Sequence, residues 1–432
     1  MPHTRRTFLR YAVGATAAGY AFFRGDSVDQ VRAAVSAAGD TPPDRLAGDE
    51  DFWFEVQQAY TVDRSLINLN NGGVSPSPRV VQDAMRRHLE FSNQAPSKNM
   101  WEVLKPQVES VRRRLARHFG CDPEEMAITR NTSEALENAI FGIDLKPGDE
   151  ILTTSQDYPR MLNSWKQREL RDGVVLKMFP VPAPAESPEQ YVDLFEQHIT
   201  PRTRVILLCH TIFLTGQILP VADVCRMARQ RGILTIVDGA HAFAHFAFKG
   251  GDIGCDYYGT SLHKWLCAPH GTGFLYVRKD RIAETWPLMA GNDPHSKDIR
   301  KFEEIGTHPI ANRLAISEAL TFYEALGGRR KEARLRYLRD RFARRLDQHP
   351  KVKTLTNLDP AHSCGIATLS FEGLDPGELM NHLWKRHRII VVAIKHEEVN
   401  GLRISPNVYT TPREIDIFCD AVEGVLEKGL PT

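Results

Sequence analysis

Lys264 stands in TSLHKWLCAPHGTGFLYV (260–277), just past a run that reads as a strand, and a lone acid, Asp238, closes another apolar run in GILTIVDGAH (232–241). A third segment, TRNTSEALENAI (129–140), ends a short apolar run and opens a helical period with Thr132 and Ser133, followed by Glu134. An amine on a loop, a buried carboxylate and a hydroxyl-rich helix start are parts of one chemistry. The amine forms an imine with an aldehyde, the carboxylate keeps a pyridine nitrogen protonated, and the free N–H groups of the helix start hold a phosphate. The set points to pyridoxal 5′-phosphate. No lysine in Walker spacing follows the helix start, which argues against a nucleotide. A plain N-cap would explain one hydroxyl but not the placement of the other parts.

Such a set needs elements that bring distant loops together. Short apolar runs occur at 126–129 (MAIT), 150–154 (EILTT), 174–179 (VVLKMF), 204–209 (RVILLC), 234–238 (LTIVD), 257–261 (YYGTS) and 273–277 (GFLYV). Helical periods at 100–119, 132–142, 159–171, 220–231 and 310–325 are interleaved with them. Continuous β-rich runs separated by helices predict an α/β fold with a mostly parallel seven-stranded sheet covered on both faces. Before them come a polar linker (38–50), a helical period in DFWFEVQQAYTV and an Asn/Gly/Pro loop, SLINLNNGGVSPSP. Beyond about residue 327 the pattern becomes a long charged helix, GIATLSF, a helix, RIIVVAI, GLRIS and an amphipathic helix from Thr411. The expected division is a large domain over 50–326, with an N-terminal arm, and a smaller α+β domain over 327–432.

Composition narrows the function. A chain of 432 residues exceeds one ordinary core, and 42% hydrophobic with 25% charged residues is the balance of a soluble globular protein. A formal net charge of +1 provides no field toward nucleic acid. The arginine runs at 112–114 and 329–345 are interrupted by acids such as Glu332 and Asp340 and read as solvated helix faces. Seven cysteines without a CxxC pair argue against a disulfide framework. His241 and His245 have helical metal spacing, but the glutamate of HExxH is absent, so no metal is expected. TRRTFLR (4–10) matches the twin-arginine export pattern, and YAVGATAAGYAFF (11–23) is apolar but short for a membrane span. Residues 1–38 are therefore expected to be signal and linker, and the protein to reach the periplasm through the twin-arginine translocase. Small residues around Val35 to Ala38 suit cleavage, while the charges between Arg24 and Arg32 oppose it.

From about Phe52 onward the motifs, in this order, resemble a fold-type-I pyridoxal phosphate enzyme of the class-V aminotransferase and cysteine desulfurase superfamily. HKWLCAPHGTGFLYV, with Trp265 after the lysine, is similar to the lysine segment of isopenicillin N epimerase-like members. The resemblance implies Lys264 as the Schiff-base lysine and Asp238 as the partner of the pyridinium nitrogen. His241 then faces the cofactor's phenolic oxygen, and Ser261, His263, Thr132 and Ser133 contact its phosphate. Tyr158 in TTSQDYPRMLNSW stacks on the ring, and Arg403 in GLRISPNVYTT binds the substrate α-carboxylate with help from Asn71. Thr307 in EEIGTHP reaches the phosphate bound by a neighbouring subunit, which implies a homodimer with shared sites.

These residue types have independent physical reasons. A buried carboxylate favours the protonated pyridine and so makes the ring an electron sink. A lysine freed by substrate is placed to act as general base, and a guanidinium matches a carboxylate with two parallel hydrogen bonds. The expected reaction is epimerisation or transamination at the α-carbon of an amino acid or peptide-like amine, with β-elimination as an alternative. A non-catalytic relative is the rival; relatives of that kind lose the lysine or the aspartate, and both are present here. Two departures stand out. CHTIFLTG (209–216) places Phe213 where an asparagine often meets the phenolic oxygen, and VVAIKHEEVNG (391–401) lacks the cysteine a desulfurase needs. Cys364 lies on the wrong side of an expected helix, so desulfurase chemistry is disfavoured.

Overall fold

A computed structural model describes residues 27–185 and 187–430. Its first element corrects the expected signal-and-linker segment. Ser27–Ala38 is a helix whose Val28 and Val31 are buried in one apolar cluster with Trp53 and Trp265. Only residues before it remain for an export signal, and the segments TRRTFLR and YAVGATAAGYAFF lie outside the described residues. The expected linker is also partly helical: Pro43–Leu46 forms one turn, and Asp49 caps Glu50–Gln57 by accepting from the Phe52 N–H at 3.2 Å. No helix among the described residues is long and apolar enough to cross a membrane.

After the short strand β1 (Ile67–Asn68) comes the helix Arg79–Gln94, not among the expected helical periods, whose apolar stripe of Val80, Val81, Ala84 and Met85 packs on the large core. The large sheet then follows. Its strands are β2 (Met126–Thr129), β3 (Glu150–Thr154), β4 (Val175–Phe179), β5 (Thr203–Cys209), β6 (Leu234–Asp238), β7 (Tyr257–Ser261) and β8 (Gly273–Val277). Their order is β2-β8-β7-β6-β5-β3-β4, and β8 alone runs antiparallel to its neighbours. The period of two within strands sorts side chains between the covering layers: Ile206 and Leu208 face one core, Val205 and Leu207 the other. Because β2, β3, β5, β6 and β7 point the same way, their C-terminal ends share one sheet edge. The residues that follow them carry the site, as expected for an open α/β sheet.

Gly327, at φ +85°, separates the helices Ile310–Leu326 and Gly328–Leu346, where the small domain begins. That domain adds β9 (Val352–Thr354), β10 (Ala367–Phe371), the helix Pro376–His387, β11 (Ile389–Ile390), β12 (Val392–Lys395), β13 (Asn400–Ile404) and the helix Pro412–Lys428. Four of its strands form an antiparallel sheet, β12-β13-β10-β9. The sharp division at 327 needs one amendment. β1 pairs in parallel with β11, and Leu69 is buried in the small-domain core beside Leu338 and Leu402, so the segment around 67–70 packs with residues of the chain's last hundred positions.

The arginine runs are likewise not simply solvated faces. Arg112, Arg334 and Arg339 are buried, each turned inward onto acceptors. Arg334 donates to the carbonyls of Ala47 and Thr410 and to Glu50, tying the N-terminal arm to the small domain. Arg112 donates to the Met126 carbonyl at 2.6 Å and pairs with Glu303, while Glu303 also accepts from the Ile128 N–H at 2.6 Å. Glu303 thereby covers the open edge of β2 and anchors the segment that leads to Thr307.

Candidate active site

The turn after β6 begins with Asp238, whose Oδ1 accepts from the Ala240 N–H at 2.9 Å. Only glycine fits at 239, because a Cβ there would lie 2.0 Å from the Tyr258 ring. Three residues past Asp238, His241 Nε2 lies 3.2 Å from Lys264 Nζ, and the Trp265 indole N–H donates to His241 Nδ1 at 3.4 Å. An indole nitrogen only donates, so Nδ1 is an acceptor and the imidazole proton sits on Nε2. That N–H faces Lys264 Nζ, which accepts in its free-base form. Burial pushes the Lys264 amine down to about 8; Asp238 opposes this and Arg403 reinforces it. Burial, followed by the charges of Lys264, Arg403 and His245, holds His241 well below the ordinary histidine range. The imidazole is uncharged at neutral pH, whereas the amine still carries its proton there and gives its free base only as pH rises through about 8.

A buried framework fixes their orientation. The His245 ring stacks on Trp265 at 3.6 Å with parallel planes; its Nδ1–H donates to the His241 carbonyl at 2.7 Å and its Nε2 accepts from the Gly365 N–H at 2.8 Å. Both nitrogens are engaged, so His245 orients Trp265 and Trp265 orients His241. Lys331, buried on the first small-domain helix, donates to the Trp265 carbonyl. Sequence patterning does not single out these supports, because each is set by packing across the domain boundary.

The helix Thr132–Gly142 opens beside this group, with Asn131 as N-cap accepting from the Glu134 N–H at 2.9 Å. The Thr132 N–H donates to Ser261 Oγ at 3.0 Å, and the two hydroxyls lie 2.7 Å apart. Gly273 permits this approach, since a Cβ there would meet Asn131 Cα at 2.8 Å. Thr132, Ser133, Ser261 and His263 all line one cavity of about 250 Å³ with Asp238, His241 and Lys264. Burial pushes the His263 imidazole down to about 4, so it faces the helix start uncharged.

Tyr158 and Arg403 line the same cavity. Tyr158 precedes the helix Pro159–Asp172, and its ring meets Phe213 edge-on at 5.3 Å between centroids. Phe213, standing at the expected asparagine position, has its carbonyl bonded to Arg403 Nη1 at 2.9 Å. Arg403 Nη2 donates to Asn70 Oδ1 at 3.1 Å, and its Nε is buried without a partner. The structure corrects the assignment of Asn71 here. The Asn71 amide donates to the carbonyls of Asn68 and Ser405 and accepts from the Tyr409 hydroxyl at 2.6 Å, so it braces the loop. Its neighbour Asn70 is the residue that meets the arginine. The Thr211 hydroxyl, also missed from sequence, is buried without a partner in the cavity wall. Thr307 is exposed and does not line the cavity of its own chain.

These residues fit pyridoxal 5′-phosphate. A helix start and two hydroxyls form an anion site, a buried acid and a lysine of lowered basicity line the same cavity, and Arg403 Nε and Thr211 Oγ1 are left for a ligand. Sheet and site together define a fold-type-I pyridoxal phosphate enzyme. Residues 67–418 match the model of the aminotransferase class-V family, and the chain belongs to that family. It is 33% identical over 393 residues to isopenicillin N epimerase of Streptomyces clavuligerus, covering 86% of this chain and 98% of that one. It is 25% identical over 391 residues to a probable cysteine desulfurase of Synechocystis sp., covering 84% of this chain and 91% of that one. Among solved structures, the apo cysteine desulfurase of Thermococcus onnurineus NA1 superposes with a TM-score of 0.77 at 22% identity, covering 87% of this chain and 98% of that one. A C-DES variant with glycine covalently linked to the PLP cofactor superposes with a TM-score of 0.74 at 22% identity, covering 84% and 98%.

Proposed function

We propose that this enzyme inverts or exchanges the α-carbon configuration of an amino acid or peptide-like amine, with transamination as the neighbouring outcome of the same first step. The carrying observation is the Lys264 amine, lowered to about 8 by burial and held 3.2 Å from an Nε2–H imidazole in one cavity with Arg403. When bound, pyridoxal phosphate supplies an electron sink for the bond broken at the α-carbon. Arg403 receives the substrate carboxylate through the donors now bonded to Phe213 and Asn70 and through its unpartnered Nε. Lys264 takes the α-proton on Nζ, while His241 Nε2–H is free to donate to the phenolic oxygen. Tyr158 and Phe213 close the cavity's outer wall.

Sulfur transfer through a persulfide is disfavoured by the thiols present. Loop 391–401 has no cysteine, and it is pinned: Glu398 accepts from Ser155, from Gln156 Nε2 at 2.7 Å and from the Val181 N–H at 3.3 Å. Cys209 lines the cavity, but burial, followed by Asp157 and Asp238, raises its thiol well above the ordinary range. It is therefore no thiolate nucleophile. β-Elimination needs no such thiol and remains the second reading. A panel of amino acids incubated with the enzyme in deuterated water separates the outcomes. Deuterium at an α-carbon of inverted configuration supports epimerisation. A 2-oxo acid replaces that reading with transamination, and pyruvate with released sulfide replaces it with elimination.

The same reading makes the active form a homodimer, because the Glu303-anchored segment presents Thr307 outward rather than to its own cavity. Sedimentation at assay concentration is expected to give a dimer, with Thr307→Ala weakening cofactor retention but not folding. A fully active monomer would overturn the shared site.

A further inference from the structure

A second buried acid lies under the cavity, unused by the chemistry above. Asp157 follows β3 and directly precedes Tyr158. Its Oδ1 accepts the Tyr158 N–H at 2.8 Å, and its Oδ2 accepts the Thr153 hydroxyl at 3.3 Å. Side-chain atoms of Asp157, Cys209 and Asp238 lie within 4.8 Å of one another, and all three residues are buried. The Cys209 thiol donates to Asp157. Two carboxylates this close and out of water do not both ionise unless a cation compensates them. Asp238 has a partner to bind, the cofactor's ring nitrogen. Asp157 has none.

We propose that Asp157 is a positioning residue that holds the pair's proton behind Asp238 while the cavity is without cofactor, keeping Asp238 ionised for the ring nitrogen, and gives that proton up to solvent as the protonated ring binds. Burial, followed by the Asp238 charge, pushes the Asp157 carboxyl up to about 7. The other titratable groups around the pair are accounted for. Cys209 at the end of β5 stays a thiol, and Tyr258 on β7, beside Asp238, is raised well above the ordinary phenol range, chiefly by burial. Lys264 is the cation that acts on Asp238, with His241 and Arg403 beyond it. Glu398 and His396, on the small-domain loop, bond to Ser155 and Gln156 rather than to Asp157.

The sign of the pH effect follows. A protonated ring beyond Asp238 adds positive charge, which favours ionised Asp157 and lowers its pKa on binding. By linkage, cofactor affinity must then rise as pH rises through neutrality, by about tenfold for each unit that the pKa falls. Below that window Asp157 carries its proton with or without cofactor and contributes no pH dependence.

Equilibrium dialysis of the full chain with pyridoxal phosphate, for the parent and Asp157→Asn, tests this. Asparagine keeps an acceptor for the Tyr158 N–H but cannot ionise. Dividing the parent Kd by the variant Kd at each pH cancels the titrations common to both, including Lys264 and the cofactor phosphate. For a one-unit fall in pKa the ratio is expected to be level below about pH 5 and to fall about tenfold by about pH 8.5, and the visible band of the variant holoenzyme is expected to lose a transition near about pH 6. A ratio constant across pH, however far from one, overturns the proposal and leaves Asp157 as a support for Tyr158. If Asp157→Asn does not fold, Asp157→Ser carries the same expectation. The experiment uses cofactor without substrate, so it stands or falls separately from the reaction at the α-carbon.

Discussion

Lys264→Ala is expected to fold, to bind pyridoxal phosphate non-covalently and to lose turnover by roughly 10⁴-fold or more, since it removes both the covalent anchor and the α-proton base. The fold survives because the cavity wall does not depend on the amine: Trp265 is held by His245 and Lys331, and Thr132 by Ser261. The cavity then holds an uncharged Nε2–H imidazole facing space, and His241 is too low in basicity to replace the amine. Borohydride should fix the cofactor to the parent but not to the variant, and α-proton exchange in deuterated water should fall with turnover. A variant that exchanges protons at the parent's rate would remove Lys264 from the chemistry.

Asp238→Asn is expected to retain cofactor, because the bonded Thr132 and Ser261 hydroxyls are untouched, yet to lose α-proton exchange by about 10- to 10²-fold. The carboxylate's hydrogen bond to a charged ring is worth about 1.5–3 kcal/mol, and a neutral amide does not favour the protonated nitrogen. Burial raises the Asp238 carboxyl, the Ala240 N–H and then Lys264 oppose that rise, and a bound pyridinium opposes it further. The loss should therefore appear in kcat more than in KM, since the electron sink acts on the reacting bond. Exchange at the parent's rate with normal cofactor content would show that the ring nitrogen needs no acid here.

The site and the edge that carries it were unequally legible. Strands at 126–129, 150–154, 234–238, 257–261 and 273–277 fall where their apolar runs end, because a strand covered on both faces must be apolar throughout its length. Helix 132–142 is equally plain, since Thr132 and Ser133 open it and the apolar period follows, although the capping side chain is that of Asn131. Export-like residues at the start blurred the reading of 27–38, where a short amphipathic helix with two buried valines looks, in sequence alone, like the end of a signal. Arginine at 112, 334 and 339 looked like surface charge because sequence does not say which face of a charged helix meets a carbonyl or carboxylate from a distant element.

What the sequence by itself determined are the local features: strand and helix periods, the hydroxyl-rich helix start at Thr132 and Ser133, and the types and order of Lys264, Asp238, His241 and Arg403. Hydrophobic periodicity and capping act over a few residues, so they can be read there. Only the tertiary structure decided which asparagine meets Arg403. Asn70 and Asn71 are adjacent and identical in type, and the choice depends on β1 pairing with a strand more than three hundred residues away. The same holds for Asp157, an ordinary loop acid until the parallel sheet brings the ends of β3, β5 and β6 together and places its carboxyl beside Asp238. Burial and charge proximity, which set the proton positions in this site, are properties of that closure and not of any one segment.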